Sequence, residues 1–149
     1  MLELVRVADG EKTISKSISA HCAVVTGFEV VRAAELLSGL KTPGILREWA
    51  FDSGSMLFSK STVEGGAVSG WHHHGERDLY GYVVSGRLTL EFKGEGSGET
   101  VLSPGDFFHI SPGVVHRDVN PDSSMPVVIV NVLSGSGPTL VNVGHDQPT

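Results

Sequence analysis

The sequence predicts an all-β domain, a sandwich or closed barrel, with one short helix near its N-terminus. Three observations predict it. Nineteen glycines and seven prolines are spread along the chain, which marks frequent turns. Between them lie about ten short apolar runs at close spacing, a pattern that suits a sandwich or barrel better than an open sheet. One segment alone has helical spacing. GFEVVRAAELLSG, residues 27–39, carries apolar Val30, Val31, Ala34 and Leu37 with Glu29, Arg32 and Glu35 between them, and it closes on a glycine suited to a helix C-terminus.

The elements follow in order. Residues 1–44 form an N-terminal arm with a helix over about 28–38. The β-barrel spans 45–143, with strands expected over 45–51, 55–62, 67–74, 79–85, 87–93, 99–102, 106–110, 116–119, 126–133 and 140–143. Breaks such as EGG, HGER, SG, GEGSG, SPGD, NPDSS and SGSGP separate them. The tail, 144–149, is expected to fray. No internal repeat and no low-complexity linker is visible, and 149 residues suit one domain with one core.

Composition excludes several classes. Hydrophobic residues are 40% and charged residues 19% of the chain, a globular balance far from disorder. Net charge is −6 with no run of Lys or Arg, so neither a nucleic acid nor an anionic membrane surface is an expected partner. A single cysteine, Cys22, rules out an intrachain disulfide. No apolar run reaches the roughly 18 residues of a membrane span, and the N-terminus lacks the pattern of a secretory leader. The expectation is a cytoplasmic protein.

The chemistry begins at WHHHGERDLYGYVVSG, residues 71–86. Strand side chains alternate faces. If His72 and His74 face inward, His73 faces out, and the two inward imidazoles stand about 7 Å apart along the strand. Alone, this pair has two readings, a metal bite or two half-buried histidines bonded to their neighbours. A second stretch, GDFFHISPGVVHRDVN, residues 105–120, adds to it. A turn centred on Pro112 and Gly113 would pair residues in a hairpin so that His109 lies opposite His116, on the same face. A slip of one residue in that register turns His109 outward. Two neutral imidazoles in an apolar interior need partners for their ring nitrogens, and a metal ion meets that need.

These two stretches resemble the two motifs of the cupin superfamily. In the first, Gly66 is followed by AVSGW, then His72, His73 and His74, and Gly86 closes the motif. In the second, Gly105 is followed by Ser111, Pro112 and Gly113, then by His116 and Asn120. The resemblance implies a single-domain jelly-roll barrel with a divalent transition metal held by His72, His74 and His116. Ser111 stands where the motif has proline. Leu79 stands where the family has its glutamate ligand, and Asp78 is one position away. The site is therefore three-histidine with open positions, or a fourth side chain completes it. His109 is the candidate, with Asp78 as its rival.

An all-histidine site leaves the charge of the ion uncancelled and makes it a stronger Lewis acid. Leu79, Val83 and Phe107 would line its pocket if they share the inward face. A looser resemblance, to the small cupin aromatic polyketide cyclases of the resistomycin type, rests on chain length, the missing glutamate, the four histidines and the ending GSGPTLVNV. It implies an aldol-type ring closure of a poly-β-ketone at zinc, with a polyketide or aromatic small molecule as substrate. Imidazole ligands suit zinc, iron, manganese, nickel or copper. A quercetinase-like dioxygenase and a cupin that only binds a small molecule are the alternatives. Family resemblance implies a homodimer paired through N-terminal strands.

Overall fold

The computed structural model describes residues 27–144. By its internal contacts the chain divides into Met1–Val30 and Val31–Thr149, and the strands of the described residues belong to the second unit. Cys22, His145, most of the N-terminal arm and the tail over 145–149 lie outside the described residues.

Among the described residues eleven strands follow one another: β1 (Leu37–Ser38), β2 (Ile45–Asp52), β3 (Met56–Val63), β4 (His72–His73), β5 (Asp78–Ser85), β6 (Leu88–Phe92), β7 (Gly98–Leu102), β8 (Phe107–Ile110), β9 (His116–Val119), β10 (Val127–Ser134) and β11 (Val141–Asn142). They form two antiparallel sheets, one in the order β1-β2-β3-β10-β5-β8 and the other β11-β4-β9-β6-β7. The ten segments expected as strands all contain one, and the all-β, jelly-roll architecture stands.

The helix expected over 28–38 does not form. In its place are one 3₁₀ turn, Ala33–Glu35, and β1, which pairs Leu37 with Trp49 and Ser38 with Glu48. The physical reason is local. The turn buries none of its residues, and a short helix without an apolar surface to pack on is marginal. The edge of β2 instead satisfies the backbone, as where Gly39 donates to the Arg47 carbonyl at 2.8 Å. The strand expected over 67–74 is also shorter. It keeps His72–His73 and a single bridge between Val68 and Val119.

Period-two alternation builds the core. Along β10, Val127, Ile129, Asn131 and Leu133 are buried while the residues between them are half-buried. Along β5, Leu79, Gly81 and Val83 face inward and Tyr80, Tyr82 and Val84 outward. The second sheet contributes Leu88, Leu90 and Leu102. Each such aliphatic side chain gains about 1.5–3 kcal/mol on leaving water. Phe107, expected in the pocket, is 80% exposed. Alternation on β8 turns it out because Ile110 is the buried residue of that strand.

Two glycines in this core have steric causes. Gly81 lies opposite Phe108 in the β5–β8 ladder, and the Phe108 ring occupies the space a Cβ would need. Gly86, which closes the first histidine motif, has φ +79, and a Cβ there would lie 2.5 Å from the Pro126 carbonyl oxygen. The turn from β5 into β6 is thus open only to glycine.

Candidate metal centre

His72 on β4 is paired directly with His116 on β9, so their side chains share the inward face. His74, one residue past β4, joins them. Ring centroids are 4.4 Å apart for His72 and His116, 5.1 Å for His74 and His116, and 5.3 Å for His72 and His74. One nitrogen from each ring lies within 4.8 Å of the others. All three residues are buried. The β4–β9 register is fixed just upstream, where Ser69 donates its backbone N–H to the Asp118 carbonyl and its hydroxyl accepts the Asp118 N–H.

The donor set fits a metal ion. Each Nδ1 lies against a backbone carbonyl: His72 against Gly70 at 2.9 Å, His74 against Thr139 at 2.7 Å, and His116 against Val114 at 2.9 Å. A carbonyl only accepts, so each Nδ1 carries the proton and each Nε2 presents a lone pair. Nε2 of His74 is buried with no hydrogen-bond partner. A buried imidazole nitrogen without a partner is costly, and a cation on the shared side of the three rings removes that cost. Burial also keeps the rings neutral. It holds His72 and His116 below the ordinary imidazole pKa and lowers His74 to about 4, with the Asp118 carboxylate partly offsetting the effect in all three.

A pH dependence follows. The unfolded chain takes up a proton on each of these histidines near pH 6.5, whereas folded His74 does so only near 4. Between those values the unfolded state binds more protons at this position, so the contribution of His74 to the stability of metal-free protein is lost as pH falls from about 6.5 to about 4, and the lowered His72 and His116 act in the same direction. His74 alone accounts for roughly 3 kcal/mol at about 1.4 kcal/mol per pKa unit. Urea midpoints of chelator-treated protein at pH 7.5 and 4.5 measure it. Equal midpoints would mean that these histidines titrate alike in the folded and unfolded chain.

His109 is not part of the cluster. It sits on β8, in the sheet opposite β9, and pairs with Tyr80 rather than with His116. Its Nε2 contacts the Asp78 carboxylate at 2.7 Å, its ring stacks on Tyr80 with centroids 4.7 Å apart, and it is part-exposed on the outer face. Asp78 is engaged there too, so neither candidate for a fourth ligand reaches the three histidines. The Pro112–Gly113 turn does not close a hairpin. It carries the chain from one sheet to the other, with Gly113 donating to the Gly75 carbonyl. Leu79 does face inward and lines the cavity beside the cluster.

That cavity, of about 50 Å³, holds two residues the motif reading passed over, Asp118 and Arg47. Asp118 lies two residues beyond His116 on β9 and shares its face, a relation alternation alone could have supplied. Arg47 comes from β2 in the other sheet, and nothing in the sequence says which strand will lie across from the histidines. Ser59, Ser61 and Asn131 add a polar wall, Asn131 donating to Ser61 Oγ at 2.9 Å. Leu57, Leu79, Phe108 and Ile110 supply the apolar part.

Comparison with known proteins agrees with this architecture. The family described as a cupin domain matches residues 59–133, 75 of the 149 residues. Among solved structures, KdgF from Halomonas sp. is 26% identical, with 71% of this chain and 92% of that one covered and a TM-score of 0.58. An RmlC-like cupin from Shewanella frigidimarina is 21% identical over 71% and 89% of the two chains, with a TM-score of 0.59. Oxalate decarboxylase from Bacillus subtilis is 18% identical over 69% of this chain and 28% of its own, with a TM-score of 0.59, so the structural neighbours include enzymes. A search of the curated proteins finds no match. Among the described residues no helix is long and apolar enough to cross a membrane. With the motif histidines assembled between two jelly-roll sheets and the family match spanning half its length, the chain belongs to the cupin family.

Proposed function

We propose that this cupin is a metal-dependent, non-redox enzyme that removes a proton beside a carbonyl group and joins the resulting carbon to a second carbonyl. Zinc is the metal we assign, held by His72, His74 and His116. The observation that carries this reading is a carboxylate, Asp118, on the same small cavity as three neutral imidazoles. When bound, the metal supplies a Lewis acid whose charge its ligands leave uncancelled.

The other steps belong to the chain. Asp118 makes no hydrogen bond through its carboxylate to another described side chain, and it is placed to accept the proton of a carbon acid. It can return that proton to the alkoxide formed as the carbon–carbon bond closes, and a second proton taken from the same carbon and passed to the resulting hydroxyl releases water and leaves a carbon–carbon double bond. Leu57, Leu79, Phe108 and Ile110 keep bulk water from the reacting atoms. In its finest form this is the intramolecular aldol ring closure of a poly-β-ketone. The enclosed space would then take the reacting end of such a chain and leave the remainder at the mouth.

The test is direct. Protein purified without added metal is expected to contain stoichiometric zinc and to consume no O₂ with a flavonol. Stoichiometric iron or copper with O₂ uptake would transfer the assignment to a dioxygenase, and undiminished ligand binding after metal removal would transfer it to a binding module. Asp118→Asn is expected to slow deuterium exchange at the central carbon of a 1,3-dicarbonyl compound by about a hundredfold, within the range of general-base contributions, with metal content unchanged. NMR in D₂O reads the exchange. An unchanged rate would remove Asp118 from the chemistry.

A further inference from the structure

Arg47 is an inward residue of β2, flanked on that face by Ile45 and Trp49, and it lines the cavity together with the histidines and Asp118. A guanidinium carries five N–H donors. Among the described residues this one has a single hydrogen-bonded partner, Thr42 Oγ1, 2.7 Å from Nη1. It belongs to none of the ion pairs of the described residues, which join Lys60 to Glu48, His109 to Asp78 and Arg117 to Glu91. The Asp118 charge is felt at Arg47, but burial outweighs it, and the guanidinium pKa is lowered. A half-buried guanidinium with several N–H donors that no described side chain engages favours an anionic partner. A planar guanidinium presents paired N–H groups that match a carboxylate.

Size narrows the class. A cavity of about 50 Å³ has room for roughly four waters at about 10–15 Å³ each. A carboxylate with an adjacent or once-removed carbonyl fills such a space, and a neutral diketone of that size would leave Arg47 unmatched. We propose that Arg47 receives the carboxylate of a short oxo acid, or of an oxo-acid end of a longer chain, while the carbonyl oxygen faces His72, His74 and His116. The carbonyl half of this assignment rests on the enolising function proposed above. The carboxylate half rests on Arg47 alone. The competing role for Arg47 is to balance the charge of Asp118 across the cavity without touching a ligand.

Oxamate and oxamide separate these roles, because they share a shape, cannot enolise and differ in one carboxylate. Calorimetric titration of wild-type protein is expected to give oxamate at least tenfold tighter binding than oxamide. Arg47→Met is expected to bring the two within about twofold, with metal content unchanged, and Asp118→Asn to preserve or widen the preference. If Arg47→Met does not fold, Arg47→Lys serves, with an expected loss of severalfold because an ammonium lacks the planar fork. Equal binding of the two probes to wild type, or a preference that survives in Arg47→Met, overturns the proposal. The titrations are repeated on chelator-treated protein. A protein that holds no metal thus overturns the enolising function while the carboxylate preference is still decided.

Discussion

His116→Ala is expected to lower metal affinity on the order of a thousandfold, while His109→Ala leaves it within about twofold. The contrast follows from which sheet carries each residue. His116 lies directly across from His72, and its Nδ1–H is anchored to the Val114 carbonyl. Its Nε2 is therefore aimed before a metal arrives. Removing an outer partner of a ligand costs about 10–100-fold in affinity, and removing one of three ligands costs more. His109 spends its Nε2 on Asp78 on the outer face of the opposite sheet, so its loss alters a part-exposed pair worth at most about 1 kcal/mol. Equilibrium dialysis against a chelator of known affinity measures both variants. Equal losses would mean that β8 and β9 form a hairpin after all. A loss on Asp78→Ala alone would give the fourth position to that carboxylate.

The same contrast locates the limit of reading this chain from its letters. His72, His74 and His116 were legible because two local rules suffice for them, the alternation of a strand and the spacing of two motifs. Leu79 was legible for the same reason, as the inward residue at the usual carboxylate position. His109 was misread because its placement depended on treating SPG as a hairpin turn, when a turn of the same composition can equally carry the chain between sheets. Phe107 failed with it, since one strand sets both. The helix over 28–38 had the right periodicity but no apolar surface to cover its stripe, and the unpaired edge of β2 was the stronger partner. Asp118 was within reach of the alternation rule but carries no motif of its own. Arg47 was beyond any local rule, because its relevance depends on which strand of one sheet faces which strand of the other.

Asn120→Ala is expected to destabilise the protein by about 4 kcal/mol without changing the metal ligands, and Asn120→Asp by more. Asn120 ends the second motif, where a polar residue four positions after a ligand invites a role in the site. Its surroundings argue otherwise. It is fully buried, and its side-chain Nδ2 lies within 2.8–3.2 Å of three carbonyl oxygens, those of Val63, Glu64 and Met125. Its Oδ1 accepts the Asp122 N–H at 3.1 Å, and its backbone N–H donates to the Ala67 carbonyl at 2.9 Å. One amide thus joins the end of β3, the loop before β4 and the loop before β10. Alanine would strand those carbonyls in the interior, at roughly 1–3 kcal/mol for each that water cannot reach. Aspartate keeps the shape but turns acceptor oxygens toward acceptor oxygens, and its charge would be buried without a partner. The two variants should therefore rank Ala above Asp in urea midpoint, the reverse of what a purely steric role would give. Because the loop from 64 to 71 leads directly into β4, loosening it should weaken metal retention only in proportion to the unfolded fraction. Loss of metal from Asn120→Ala under conditions where it remains folded would instead make Asn120 a positioning residue for His72.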